Sequence, residues 1–251
     1  QLHLQRAEGF PLDEDADLGG HRTIEPLKGV AQAMRYKVAD YPSENLDERD
    51  LEAEEPSFVV LGARACDVKA IDMLDKVQIE GEFTDPFYKV RREKMFIIAA
   101  DCTDCGDTCF CNLIGGNPWP ESGFDLAISK AGGGYLIEAG SEKGKKVLEE
   151  NGELLGEVRE GQAAARDEKR REVLAALKEQ NGDFPDLTSI TEDLRKTISD
   201  DIWKHIAKRC VECGACTNIC PTCYCFLLYD QKADGEYFKR ISAWDSCQLS
   251  G

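Results

Sequence analysis

The stretch RCVECGACTNICPTCYCFLLYD, residues 209–230, carries six cysteines within sixteen positions. The 251-residue chain has twelve cysteines, and none lies between Cys111 and Cys210. Disulfide scaffolds spread their cysteines to close loops along a chain. Metal sites cluster them, because the ligands must converge on one ion or one cluster. The opening QLHLQRAEGF has neither a basic n-region nor an apolar h-region, so no secretory signal is visible. It also lacks an initiator Met, as a trimmed or incomplete chain would. Metal or redox chemistry in a soluble, cytoplasmic protein is therefore expected.

Cys210, Cys213, Cys216 and Cys220 follow the cadence C-x2-C-x2-C-x3-C, with Pro221 next. That is the bacterial ferredoxin run for a [4Fe–4S] cluster. Two-residue gaps let a tight loop turn three thiolates toward separate cubane corners while its N–H groups face the sulfides. Gly214 permits the sharp turn, and Pro221 ends the loop. The competing assignment is half of a zinc ribbon, which uses CxxC pairs rather than this cadence. In two-cluster ferredoxins the fourth cysteine of such a run ligates the other cluster. No second run precedes Gly251. Either Cys220 closes one cluster locally, or the partner motif lies beyond Gly251. Cys223, Cys225 and Cys247 are secondary ligand candidates or buried free cysteines.

The rest of the chain divides by texture. Residues 1–56 are a polar, acidic N-terminal segment in which only HRTIEPLKGVAQAMRYKVADY reads as ordered, with Pro26 and Pro42 bracketing a short helix. NLDERDLEAEEP is a charge-rich surface turn or helix. Residues 57–140 read as a small α/β domain. SFVVLGA is a buried strand, and DVKAIDMLDKV brings Val68, Ile71, Met73, Leu74 and Val77 near helical spacing behind Asp67 as N-cap. KMFIIAADC is a second buried strand, which completes a βαβ unit. FDLAISKAGGGYLIEAGS follows as a hairpin turning at Gly132, Gly133 and Gly134.

Residues 141–195 are a helical linker. GQAAARDEKRREVLAALKEQ carries an apolar stripe, NGDFPD is a plausible hinge, and ITEDLRKTISDDIWKHIAKRC is an amphipathic helix running into the cysteines. Residues 196–251 form a ferredoxin-like iron–sulfur domain, incomplete at its end. The expected fold class is thus mixed, α+β or α/β: a small α/β domain with cysteine-rich loops, a helical linker and a ferredoxin-like [4Fe–4S] domain.

A second constellation, DCTDCGDTCFCN, holds Cys102, Cys105, Cys109 and Cys111 at the end of the second expected strand. Cys66 ends the first. If those strands are parallel neighbours, Cys66 can join the loop cysteines at one site, since open α/β sheets gather ligands at the carboxyl ends of strands. Five thiols then supply four ligands and one spare. Zinc is the second assignment, and a Cys102–Cys105 redox dithiol the third.

The remaining inventory excludes much. A formal charge of −17 repels phosphate backbones, so no nucleic-acid partner is expected. That acidity is either simple solubility or a docking face for a basic partner subunit. The apolar runs FVVLGA and MFIIAA are too short to span a bilayer. The histidines are His3, His21 and His205 alone, and no HExxH, Ser/His/Asp order or P-loop occurs. His205, beside Trp203, reads as a packed or surface residue. The triple glycine is not a GxGxxG opening a helix, so no nicotinamide site is expected. No catalytic residue is assigned.

LGARACDVKAIDMLD, DPFYKVRREKMFIIAADC, TCFCN, GFDLAIS and RCVECGACTNICPTCYCF with WDSCQ together resemble one family. It comprises the iron–sulfur β subunits of cytoplasmic NiFe (sulf)hydrogenases and the corresponding iron–sulfur subunits of anaerobic sulfite reductases. The resemblance runs from about residue 57 to the end. It implies an electron-transfer subunit with a 4Fe-4S dicluster C-terminal domain, set between a flavin subunit that handles NAD(P)H and a catalytic hydrogenase or reductase subunit. At least one [4Fe–4S] cluster, and two or more by expectation, would sit on this chain, with flavin on a partner only. The family pattern implies Cys66, Cys102, Cys109 and Cys111 as ligands of the N-terminal cluster, with Cys105 extra. It also continues past WDSCQ with a second cysteine run, so this sequence is expected to be cut short. Nothing carries over to residues 1–56. Two other readings stand beside the electron relay: a subunit that itself reduces a substrate at an open iron–sulfur site, and a zinc-stapled structural subunit.

Overall fold

The computed structural model describes residues 3–6, 25–41, 51, 55–185, 187, 190–199, 201–233, 235 and 237–245. Its strands are β1 (His3–Arg6), β2 (Arg35–Tyr41), β3 (Phe58–Ala63), β4 (Met95–Ala100), β5 (Leu126–Ala131), β6 (Gly134–Ala139), β7 (Phe226–Lys232) and β8 (Phe238–Trp244). Its helices are α1 (Lys28–Ala31), α2 (Ala65–Gln78), α3 (Pro86–Glu93), α4 (Glu142–Glu150), α5 (Gln162–Gln180), α6 (Ile190–Thr197), α7 (Asp201–Ala207) and α8 (Ala215–Ile219). One sheet runs β1-β3-β4-β5-β6 and a second runs β2-β8-β7, which makes the fold mixed α/β. No helix among the described residues is long and apolar enough to cross a membrane.

The two apolar runs pair as expected. β3 and β4 are adjacent and parallel, with Val60 opposite Ile97, and α2 and α3 lie in the connection between them. In β4 the residues Met95, Ile97 and Ala99 are buried and alternate with the half-buried Phe96 and Ile98, the period-two signature of a pleated strand. Helix α2 turns Val68, Ile71 and Leu74 into the core formed with Val60, Met95 and Ile97. Met73 and Val77 fall on its other side and remain 48% and 39% exposed. Asp67 caps α2, but from its third position. Arg64 is the N-cap, and the Asp67 carboxylate accepts its N–H at 3.1 Å.

β5 is also parallel to β4. The connection between them, residues 101–125, contains no α-helix, only a 3-10 turn at Cys111–Ile114. A parallel crossover usually takes a helix; here the cysteine-rich loop is the crossover. The β5–β6 hairpin turns at Gly132 and Gly133, whose φ values of 56° and 77° favour glycine.

Two expectations need correction. The segment between Pro26 and Pro42 holds the short helix α1, but Arg35–Tyr41 is a strand that pairs antiparallel with β8. That pairing reaches across most of the chain, and no local pattern announces it, because β propensity reflects the neighbours a strand meets. The amphipathic run after residue 189 is two helices, α6 and α7. Ser199 between them and Asp201 at the start of α7 are residues that favour caps over helix interiors, and the Trp203 indole N–H donates to the Thr197 carbonyl at 2.6 Å. NGDFPD opens with the buried Asn181, which anchors a neighbouring loop. Cys247 and most of NLDERDLEAEEP lie outside the described residues.

Burial on α2 sets a contrast that stability measurements can check. Leu74→Ala should destabilise the iron-free chain by about 3 kcal/mol, the usual range for a fully buried leucine. Met73→Ala, one residue away on the exposed side, should cost under about 1 kcal/mol in the same urea titration.

Candidate metal centres

Cys66 and Cys102 stand where two parallel neighbours end. Cys66 is the second residue of α2, just past β3, and Cys102 lies two residues beyond β4. Cys66 therefore leaves a helix N-terminus, where unpaired N–H groups and the helix dipole favour an anion. The Cys102 N–H donates to the Pro118 carbonyl at 2.8 Å and closes the base of the loop. Within it Gly106 and Cys109 form a tight turn, with the Cys109 N–H on the Gly106 carbonyl at 2.9 Å and the Gly106 N–H on Cys109 Sγ at 3.2 Å.

Burial pushes the Cys102 thiol up to about 12; the Arg64 guanidinium opposes the rise, and Cys66, Cys111 and Cys109 add to it. Those three thiols are thus within electrostatic reach of Cys102. Cys105 is directed elsewhere, its thiol 3.8 Å from the Gln180 side-chain oxygen.

The C-terminal end of α5 holds this loop. Gln180 Nε2 donates to the carbonyls of Gly106, Asp107 and Cys109 at 3.2, 3.3 and 3.1 Å. Asn181 Nδ2 adds bonds to the Cys109 carbonyl at 3.0 Å and to Asn112 Oδ1 at 2.7 Å. The loop's base is held by two arginines. Buried Arg64 donates to the Asp101 carbonyl at 2.7 Å. Arg170, from α5, grips the Asp101 carboxylate with two bonds of 2.7 and 3.1 Å and reaches Ser129 Oγ at 3.3 Å.

At the other end of the chain, the first four cysteines of the run curl round two left-handed residues. Glu212 has φ 55° and Gly214 φ 70°. The latter is the N-cap of α8, which carries Cys216, and Cys220 is the helix's C-cap. A non-glycine residue in this region is uncommon and marks a constrained turn. The Glu212 N–H donates to Cys210 Sγ at 3.4 Å, so backbone donors do turn toward thiol sulfur here. Cys210, Cys213 and Cys216 are exposed, while Cys220, Cys223 and Cys225 are half-buried.

The Cys220 thiol is held below its usual range. Burial works against this, but bonds from the Thr222 hydroxyl and from the N–H groups of Thr222 and Cys223 outweigh it, with help from the Lys28 charge. Lys28, from α1, is 1% exposed. Its ammonium donates to the carbonyls of Thr217 at 2.7 Å and Cys223 at 3.3 Å. Burial lowers its pKa, and the sulfurs of Cys223, Cys220 and Cys225 pull it back up.

Among the described residues no three His, Cys, Asp or Glu side chains are close enough to hold a single metal ion. A cubane takes its thiolates at four separate corners, a wider arrangement than the ligand shell of one ion. A donor set made only of thiols, with N–H groups and cations round them, fits that group. Gln180, Asn181, Arg64, Arg170 and Lys28 escape sequence reasoning. Only Asn181 carries a local signal, as the Asn-Gly that stops α5, and that signal says nothing of its hold on the cysteine loop.

Residues 209–251 match the family model of the 4Fe-4S dicluster domain. The chain is 30% identical over 237 residues to the sulfhydrogenase 2 subunit beta of Pyrococcus furiosus, an alignment covering 93% of this chain and 67% of that protein. No solved structure matches it. With the cysteine run inside the dicluster match and nearly the whole chain inside the alignment, the protein belongs to the iron–sulfur β-subunit family of the sulfhydrogenases.

Proposed function

We propose that this chain is the electron-relay subunit of a cytoplasmic anaerobic oxidoreductase complex, passing electrons between a flavin subunit that oxidises NAD(P)H and a catalytic hydrogenase or reductase subunit. The observation that carries the reading is the ferredoxin cadence of Cys210, Cys213, Cys216 and Cys220, curled round Gly214 with the Cys220 thiol biased toward thiolate. These four cysteines are the proposed ligands of a C-terminal [4Fe–4S] cluster. Cys66, Cys102, Cys109 and Cys111 are the proposed ligands of a second, and Cys223, Cys225 and Cys247 are secondary ligand candidates. The mutual reach of Cys102 with Cys66, Cys109 and Cys111 supports that N-terminal set and leaves Cys105 as the spare.

Bound clusters supply one-electron transfer. The chain's own residues bind them through thiolates and turn N–H groups toward sulfur. They also hold the loops rigid through Gln180, Asn181 and Arg170, and set the local charge with Arg64 and Lys28.

Loading the N-terminal site requires deprotonated thiolates, so it releases protons. In the iron-free chain Cys102 stays a thiol until the pH approaches 12, because its raised pKa favours the neutral form. At pH 8 iodoacetamide should therefore label Cys220 and the exposed Cys210, Cys213 and Cys216 well before Cys102, as followed by peptide mass spectrometry.

Cysteine-to-serine variants test the ligand sets. Cys213→Ser should remove one cluster's worth of iron and soften the fold round α8, because cluster binding contributes folding free energy; unchanged iron would sink the C-terminal assignment. Cys66→Ser should abolish the N-terminal cluster, whereas Cys105→Ser should keep it. Iron counts and EPR spectra of the reduced variants decide, and the reverse pattern would mean that the cluster belongs to the loop alone.

A further inference from the structure

Lys28 is the most deeply buried charged residue among the described residues. An ammonium that is 1% exposed is costly to bury unless something compensates its charge. Two carbonyls accept from it, those of Thr217 inside α8 and of Cys223 just after the run. The face of Trp244 lies 4.3 Å from Nζ, a cation–π contact. None of these neutralises it, and no carboxylate among the described residues pairs with it. Trp244 itself keeps a buried indole N–H with no acceptor among the described residues. A buried cation with no described carboxylate beside it and a donor with no described acceptor share a residue pair, at the turn that carries Cys220, Cys223 and Cys225.

The scaffold fixes Lys28 at that turn. β2 pairs with β8, and the Trp244 backbone N–H donates to the Met34 carbonyl at 3.0 Å. The Asp245 N–H donates to the Cys225 carbonyl at 3.0 Å. The turn after α1 and the cysteine turn are thus bound to the same strand end. This also gives the N-terminal segment, which carries no motif of its own, a place in the chemistry.

We propose that Lys28 is the fixed counter-charge of the iron–sulfur site at the end of the cysteine run, holding the Cys220–Cys225 turn and raising the reduction potential of the cluster there. The inference rests on the iron–sulfur reading above. A cluster bound by thiolates is anionic and gains one more negative charge when reduced. A nearby buried cation stabilises the reduced form more than the oxidised form, so the potential rises. Because Lys28 itself is buried, its charge is screened less by salt than a surface charge would be.

The test uses the complex containing the full-length chain, purified anaerobically, with three substitutions. Lys28→Gln removes the charge and keeps hydrogen-bond donors, Lys28→Met removes both, and Lys28→Arg keeps the charge. Iron per complex and EPR-monitored redox titration are the readouts. We expect Gln and Met to move the midpoint of one cluster to more negative potential, leaving the other midpoints in place, while Arg stays close to the unmodified protein. Loss of that cluster's iron in Gln and Met, with retention in Arg, would equally establish the need for charge. Full iron with an unshifted midpoint in Gln and Met overturns the proposal. So does equal loss of iron in all three variants, which would make Lys28 a packing residue. An unmodified complex in which this chain contributes no [4Fe–4S] signal would defeat the iron–sulfur reading itself, a failure visible before any variant is made.

Discussion

The parallel register of β3 and β4 is the constraint on which the first cysteine site depends. With Val60 opposite Ile97, the two strands end side by side, and the residues just past them, Cys66 and Cys102, follow at their carboxyl ends. A slip of one residue would reverse the alternation that buries Met95, Ile97 and Ala99. The core and the site are therefore fixed by the same pairing. Apolar burial holds the register, and the register delivers the thiols.

The connection after β4 shows how the protein allocates its order. Between two parallel strands a helix normally covers the sheet and satisfies its own backbone groups. Residues 101–125 lack that regularity, and their carbonyls are met by side chains instead. Gln180 and Asn181 cover three of them from the end of α5. A loop built this way can bring both Cys109 and Cys111, two residues apart, within reach of Cys102, whereas the 3.6-residue period of a helix would turn them to opposite faces. Arg170 ties the same helix to Asp101 at the loop's start, so α5 grips the cysteine loop at both ends.

Much of this is legible in the sequence, and the rest is not, for a physical reason. FVVLGA and MFIIAA announce strands because their burial on both faces needs continuous apolar residues. The C-x2-C-x2-C-x3-C cadence announces its turn because the residues that form it are close in sequence. Asp67 reads as the N-cap of α2 but acts from inside the first turn, since Arg64 can occupy the cap position when the Asp67 carboxylate reaches back to it. The contributions of Lys28, Gln180 and Asn181 are long-range: each polar group finds its partners 69 or more residues away. No window of sequence contains both halves of such an interaction. Strand β2 escapes detection for the same cause, as its partner is β8.

The pairing of β2 with β8 also has a consequence in time. Lys28 and Thr217 are separated by 189 positions, and at about 5–20 residues per second the ribosome takes roughly ten to forty seconds to make that interval. Throughout it β2 has no edge to join, and the ammonium of Lys28 stays in water. The five-stranded sheet can be assembled meanwhile from strands made early, whereas the three-stranded sheet must wait for the last of its members. Contacts of such sequence separation close late and slowly. The two ends of the molecule therefore mature in order, and the cysteine run meets its buried cation only after its own thiols have been synthesised.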